Sequence, residues 1–163
     1  MVSNLGLHAC KRMVLAALLA ASGGWSSAAF ADDLNICIEQ SGDVALNACT
    51  RAIDSGKLSK QNLAVAYTSR GVEWRAKGEV DRAITDHTRA IAADAKQADA
   101  FYNRGNAYWQ KKDLDRALAD YDVAIRLNPR AARYFNNRGL VYKDKGDSAR
   151  SEADAAEAKR LGR

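Results

Sequence analysis

Side chains able to do chemistry are few in this 163-residue chain: three cysteines, Cys10, Cys37 and Cys49, and two histidines, His8 and His87. Eleven residues lie between Cys37 and Cys49, which does not fit the two-residue gap usual in a redox dithiol. Zinc takes four ligands, and only His87 could join these two sulfurs, so no metal site is expected. A Ser-His-Asp or Cys-His arrangement would also need His87. That residue falls on the apolar stripe of a helix-forming segment, where the expected role is a satisfied core histidine. No glycine-rich phosphate loop follows a strand-forming segment. Carboxylates are numerous but lie beside cations on solvent faces, and nothing marks a hydrolytic pair. No catalytic residue and no cofactor is assigned, and no enzyme activity is expected.

The chemistry left to the cysteines depends on where the chain folds. Segment 1–31 carries Lys11 and Arg12 and no acidic residue, then an apolar run, Met13 to Ala21, then Ala29-Phe30-Ala31 before Asp32. A charged start, a short apolar stretch and an A-x-A site describe a secretory signal peptide over 1–31. The run is about half of the ~20 residues a spanning helix needs, and no later stretch is longer, so no stable membrane insertion is expected. Loss of Lys11 and Arg12 takes the formal charge from +5 to +3. That is too small an excess, too evenly spread, to predict nucleic-acid binding. An exported chain with two cysteines is expected to pair them, Cys37 with Cys49; buried free thiols are the alternative should export fail.

The elements that hold these residues are set by a 34-residue period. Segments 64–97, 98–131 and 132–163 align without gaps. Gly71, Gly105 and Gly139 recur, as do Arg70, Arg104 and Arg138, and Asp86, Asp120 and Asp154. Aromatic residues recur as Tyr67, Phe101 and Phe135, and as Trp74, Tyr108 and Tyr142. Spacings of four and three put each aromatic, glycine and aromatic on one helical face. Glycine weakens a helix by about 1 kcal/mol against alanine, so its repetition points to a close helix contact. Ala83, His87, Ala90 and Ile91 form the facing stripe of a second helix, as do Ala117, Tyr121, Ala124 and Ile125. Each arginine precedes its aspartate at the same constant interval, a distance a helical hairpin can close. Three structural ion pairs are expected, in preference to a ligand-binding ladder. Residues 32–59 read as a diverged hairpin cap, with Asp33–Gln40 and Val44–Asp54 as helices around the Ser41-Gly42-Asp43 turn.

These residues resemble the tetratricopeptide repeat family. The middle unit matches best, with Phe101, Gly105, Tyr108, Ala117, Tyr121, Ala124 and Pro129. The first departs at His87 and Ala95, and the third at Ser151 and Ala155. The resemblance implies an all-α fold, a right-handed α-α superhelix of antiparallel helix pairs. It also implies a concave groove lined by first helices. Carried over, the lining is Thr68, Val72 and Arg75, then Asp99, Tyr102, Asn106, Trp109 and Gln110, then Arg133, Asn136, Leu140 and Lys143.

The function this implies is non-catalytic: a scaffold of the bacterial cell envelope that binds a protein or peptide partner. Adjacent Tyr108 and Trp109 cannot both face the core. Trp109 is thus either an exposed anchor or a packing residue against a neighbouring unit. One subclass of the family grips a C-terminal carboxylate with cations and asparagines. Thr68 and Val72 fill the first two of those places, and Asn106 and Asn137 match one unit on, where Tyr102 replaces the cation, so no such clamp is assigned. Two alternatives compete with peptide binding: an electrostatic binder of acidic envelope polymer, and a self-associating element, a homodimer through the alanine-rich segment 148–161.

Overall fold

The computed structural model describes residues 27–162; most of the expected signal peptide, 1–31, lies outside the described residues. Eight helices follow one another there: α1 (Ser27–Glu39), α2 (Gly42–Asp54), α3 (Lys60–Ala76), α4 (Val80–Ala93), α5 (Ala98–Gln110), α6 (Leu114–Leu127), α7 (Ala132–Asp144) and α8 (Ser148–Leu161). None is long and apolar enough to cross a membrane. Helix α1 starts at Ser27, ahead of the expected Asp33, and runs through Ala29-Phe30-Ala31, a stretch whose alanines favour helix.

Sequence chemistry places the helix ends. Ser59, Asp113 and Asp147 cap α3, α6 and α8 by accepting from the backbone N–H groups of Asn62, Arg116 and Arg150, relieving donors that have no partner within the helix. The turn closing each first helix needs a left-handed residue. Gly78 and Gly146 supply it at φ 82° and 79°, whereas the middle unit uses Lys112 at φ 63°, a strained choice for a side chain with a β-carbon.

Helices pair as α1·α2, α3·α4, α5·α6 and α7·α8, and each pair packs on the next. First helices of successive pairs also touch (α1 with α3, α3 with α5, α5 with α7), while second helices do not touch one another. The first helices therefore line the inner, concave side of the right-handed superhelix and the second helices the outer side.

Each hairpin closes over its glycine. The buried faces of α4 and α6 carry Ala83, His87 and Ala90, and Ala117, Tyr121 and Ala124. The rings of His87 and Tyr121 lie against Gly71 and Gly105. The third unit has no ring there, and Gly139 meets Asp154 Cβ and the Ser151 carbonyl.

The three arginines sit beside these contacts. Arg70 donates from Nε and Nη2 to Asp86 at 2.7 and 2.9 Å, Arg104 to Asp120 at 2.8 Å twice, and Arg138 to Asp154 at 2.8 and 2.7 Å. Each remaining Nη1 reaches back to the preceding pair, to Thr50, Thr88 and Asp122. The guanidinium groups are thus consumed within the solenoid, tying each hairpin internally and to its predecessor.

In the cap, Cys37 and Cys49 are joined by a disulfide across α1 and α2. Both are buried, and Ala48, Ala66, Leu34, Ile36, Ile53 and Leu58 surround them.

Candidate functional site

On the concave side, α3, α5 and α7 bound a cleft of about 400 Å³ lined by Arg75, Tyr102, Asn106, Trp109, Gln110, Lys112, Asn137 and Asp144. Its floor is an ordered polar and aromatic network. Tyr121, buried behind it, donates to Asn106 Oδ1 at 2.7 Å. Asn137 Nδ2 donates to the same oxygen at 2.8 Å and to the Tyr102 hydroxyl at 3.0 Å. Tyr102 packs its ring against Tyr121 and Tyr134, with centroids 5.9 and 4.9 Å apart. Burial raises the pKa of Tyr121. Tyr134 is pushed up to about 12, mainly by burial and then by its hydrogen bond to Asp99. Both phenols therefore stay neutral and act as donors at ordinary pH.

Five of the residues expected in the groove converge here: Arg75, Tyr102, Asn106, Trp109 and Gln110. Trp109 combines the two roles considered for it. Its ring is half-buried against the Ala117–Tyr121–Val141 cluster, its indole N–H donates to Asp144 at 2.7 Å, and it still lines the cleft. Thr68 needs correction. It is buried, and its hydroxyl donates to Gln97, the N-cap of α5, at 2.9 Å, so it fastens α3 to the start of α5 instead of facing an open groove. Val72 and Asp99 do not line the cleft; Asp99 accepts from Arg133 and Tyr134 at its rim. Asn136, Leu140 and Lys143 are exposed on α7, which bounds the cleft, but they do not line it. Lys112, Asn137 and Asp144 join the lining without having been expected there. The period itself marks Asp144, which holds in the third unit the place of Gln110 in the second.

His87 requires a second correction. It is a core residue, fully buried, but neither ring nitrogen has a hydrogen-bond partner. Burial, with Arg75 and Arg104 nearby, lowers its pKa to about 3. Arg75 fills in unit one the place Trp109 fills in unit two, and its Nε is also buried without a partner. Among the described residues, no group of three or more histidine, cysteine or acidic side chains could hold a metal ion.

Comparison with known proteins agrees with this geometry. A family model described as tetratricopeptide repeat matches residues 98–130, and a second, described as TPR repeat, matches 71–112. Residues 71–130 thus carry tetratricopeptide repeats. Among solved structures it is similar to the crystal structure of MamA, with 26% identity and a TM-score of 0.65 over 74% of this chain and 68% of that one. It is also similar to the second TPR of Spaghetti (RPAP3) bound to HSP90 peptide SRMEEVD, with 29% identity and a TM-score of 0.60 over 68% of this chain and 98% of that one. MamA 41-end from Desulfovibrio magneticus RS-1 shares the fold at 18% identity, with a TM-score of 0.63 over 72% and 64%. No curated protein matches the chain in sequence. Fold and relatives together define a protein-interaction module.

Proposed function

We propose that this protein is an exported, non-catalytic scaffold that binds an extended or helical segment of another protein in its concave groove. The observation that carries this is the convergence of Tyr102, Asn106, Trp109, Arg75 and Asn137 on one cleft. The network beneath holds Tyr102 and Asn106 in fixed positions, so little conformational entropy is lost when a partner docks. Tyrosine, tryptophan and arginine are the side chains enriched among the few that dominate binding energy in protein interfaces. Export is supported by the residues of 1–31 and by a buried cysteine pair suited to an oxidising compartment.

The test compares affinity capture from the native envelope by the wild type and by a Tyr102→Ala/Trp109→Ala variant, with refolded helicity checked for both. A partner retained by the wild type and lost by the variant supports the groove. Trp109→Ala alone is expected to weaken that partner by about 1–3 kcal/mol. Equal capture by both proteins would remove the cleft from the site. Affinity falling steeply and linearly with the logarithm of salt would favour the electrostatic reading.

A further inference from the structure

The outer face of the first repeat carries a second depression, of about 460 Å³, whose lining includes Arg70, Trp74, Arg82, Asp86 and Arg89. The repeats act as internal controls for it. In units two and three the arginine at the start of the second helix is held by the capping aspartate: Arg116 Nε donates to Asp113 and Arg150 Nε to Asp147, both at 2.6 Å. In unit one the cap is Glu79. Its side chain caps nothing, and it approaches Arg82 only to 3.9 Å. Arg82 keeps the stacking partner of its counterparts, lying 4.7 Å from the Trp74 ring centroid, but among the described residues it makes no hydrogen bond.

Arg89 is peculiar to this unit, since Val123 and Glu157 stand in its place. It lies 5.9 Å from the Tyr67 ring and 3.8 Å from Asp86. Asp86 is already engaged by both donors of Arg70. Asp81, the other acid of the depression, accepts from Lys111. Two guanidinium groups therefore stand with their forks unfilled, each over a ring of α3. Their separation follows from the helix. Arg82 and Arg89 are two turns apart, as are Tyr67 and Trp74, which is about 10.5 Å along the axis.

The geometry points to a second docking surface on the outer face, at which Arg82 and Arg89 receive two carboxylates of an extended acidic segment of a partner protein. Glutamates three positions apart on a segment extended as polyproline II share one face and stand about 9 Å apart, and carboxylates fit guanidinium forks better than any point cation. This goes beyond the groove and is independent of it.

The test uses the full chain and the probe peptide Ac-GEAAEG-NH2, followed by NMR shift perturbation at low salt. Ac-GAEEAG-NH2, Ac-GQAAQG-NH2 and inorganic phosphate serve as comparisons. Binding is expected for the first peptide, at least tenfold weaker for the others, and with the shifts clustered on α3 and α4. An Arg82→Gln/Arg89→Gln variant of unchanged melting temperature is expected to lose at least tenfold in affinity. Arg116→Gln and Tyr102→Ala/Trp109→Ala are expected to bind as wild type, which separates failure here from failure of the groove. No binding at millimolar peptide, equal binding of the adjacent-glutamate peptide or of phosphate, or undiminished binding by the double variant would overturn the assignment.

Discussion

The imidazole of His87 lies directly against the backbone of Gly71: a β-carbon placed on Gly71 would stand 2.5 Å from Cε1 and 2.8 Å from Nδ1. The same relationship joins Gly105 to the Tyr121 ring at 2.9 Å and relaxes at Gly139, where the nearest atoms are 3.2 Å away. Substitution by alanine gains up to about 1 kcal/mol of helix propensity and forces buried rings or backbone to move, at about 1–3 kcal/mol. The expected order of destabilisation is Gly71→Ala and Gly105→Ala well above Gly139→Ala, which should be near neutral. Chemical denaturation of the three variants measures it. An equal loss at all three sites would mean that ring contact is not the reason for the glycines.

The same imidazole makes stability depend on pH. Burial holds the folded pKa at about 3, while an unfolded histidine titrates near 6.5. Between those values the unfolded state carries a proton that the folded state refuses. Stability is therefore complete above pH 6.5 and falls by about 1.4 kcal/mol per pH unit as the solution is acidified, reaching a loss of about 2 kcal/mol by pH 5. His87→Phe, which restores a ring without a titratable nitrogen, should remove this part of the slope. Urea midpoints from pH 7.5 to 4.5 for the two proteins check it; parallel curves would show that His87 takes up its proton in the folded state.

Much of this is legible in the sequence because the period is exact where packing demands it. The fixed interval between Arg104 and Asp120 places a bidentate ion pair, since a hairpin of constant length leaves the two side chains one place to meet. Trp109, Tyr102 and Asn106 fall on the groove for the same reason. Thr68 and Asn137 escape the pattern because a small rotation around the helix axis decides between burial and an open face, and neighbours across the unit junction set that angle. The two unpartnered nitrogens of His87 leave no mark in the sequence at all. The residue that would satisfy a ring substituent there is Asn106 in unit two and Val72 in unit one. Knowing that they face one another requires the packed helices.

The arginine–aspartate pairs are structural, and their energetics should show it. Arg104 and Asp120 are mostly buried, with side chains 19% and 8% exposed. Arg104→Gln leaves the carboxylate without its counterion and is expected to cost about 3 kcal/mol, the low end for breaking a buried pair. Arg104→Met/Asp120→Leu removes both charges and should recover most of that loss, because a packed apolar pair avoids the desolvation penalty altogether. Thermal melts of the single and double variants decide it. A double variant no more stable than the single one would mean that the hydrogen bond from Arg104 Nη1 to Thr88, lost in both, carries the stabilisation.

Among the described residues the cap has a neighbour on one side only, so its disulfide should matter more to the cap than to the array. The bridge joins cysteines at a sequence separation of 12, and a loop of that size is worth about 3 kcal/mol in the chain-entropy account. Cys37→Ala/Cys49→Ala is expected to lose that amount from the unfolding of α1 and α2, with amide exchange accelerating there first. The amides of α6 and α7 should be protected as before, because repeat arrays couple mainly to nearest neighbours. Both sulfurs are buried, so reduction of the wild type by external thiol should need the cap to open first. Its rate should then level off at high reductant, at the opening rate of α1. A rate that keeps rising in proportion to reductant would place the bridge at the surface, and uniform exchange acceleration along the chain would make the cap part of one cooperative unit.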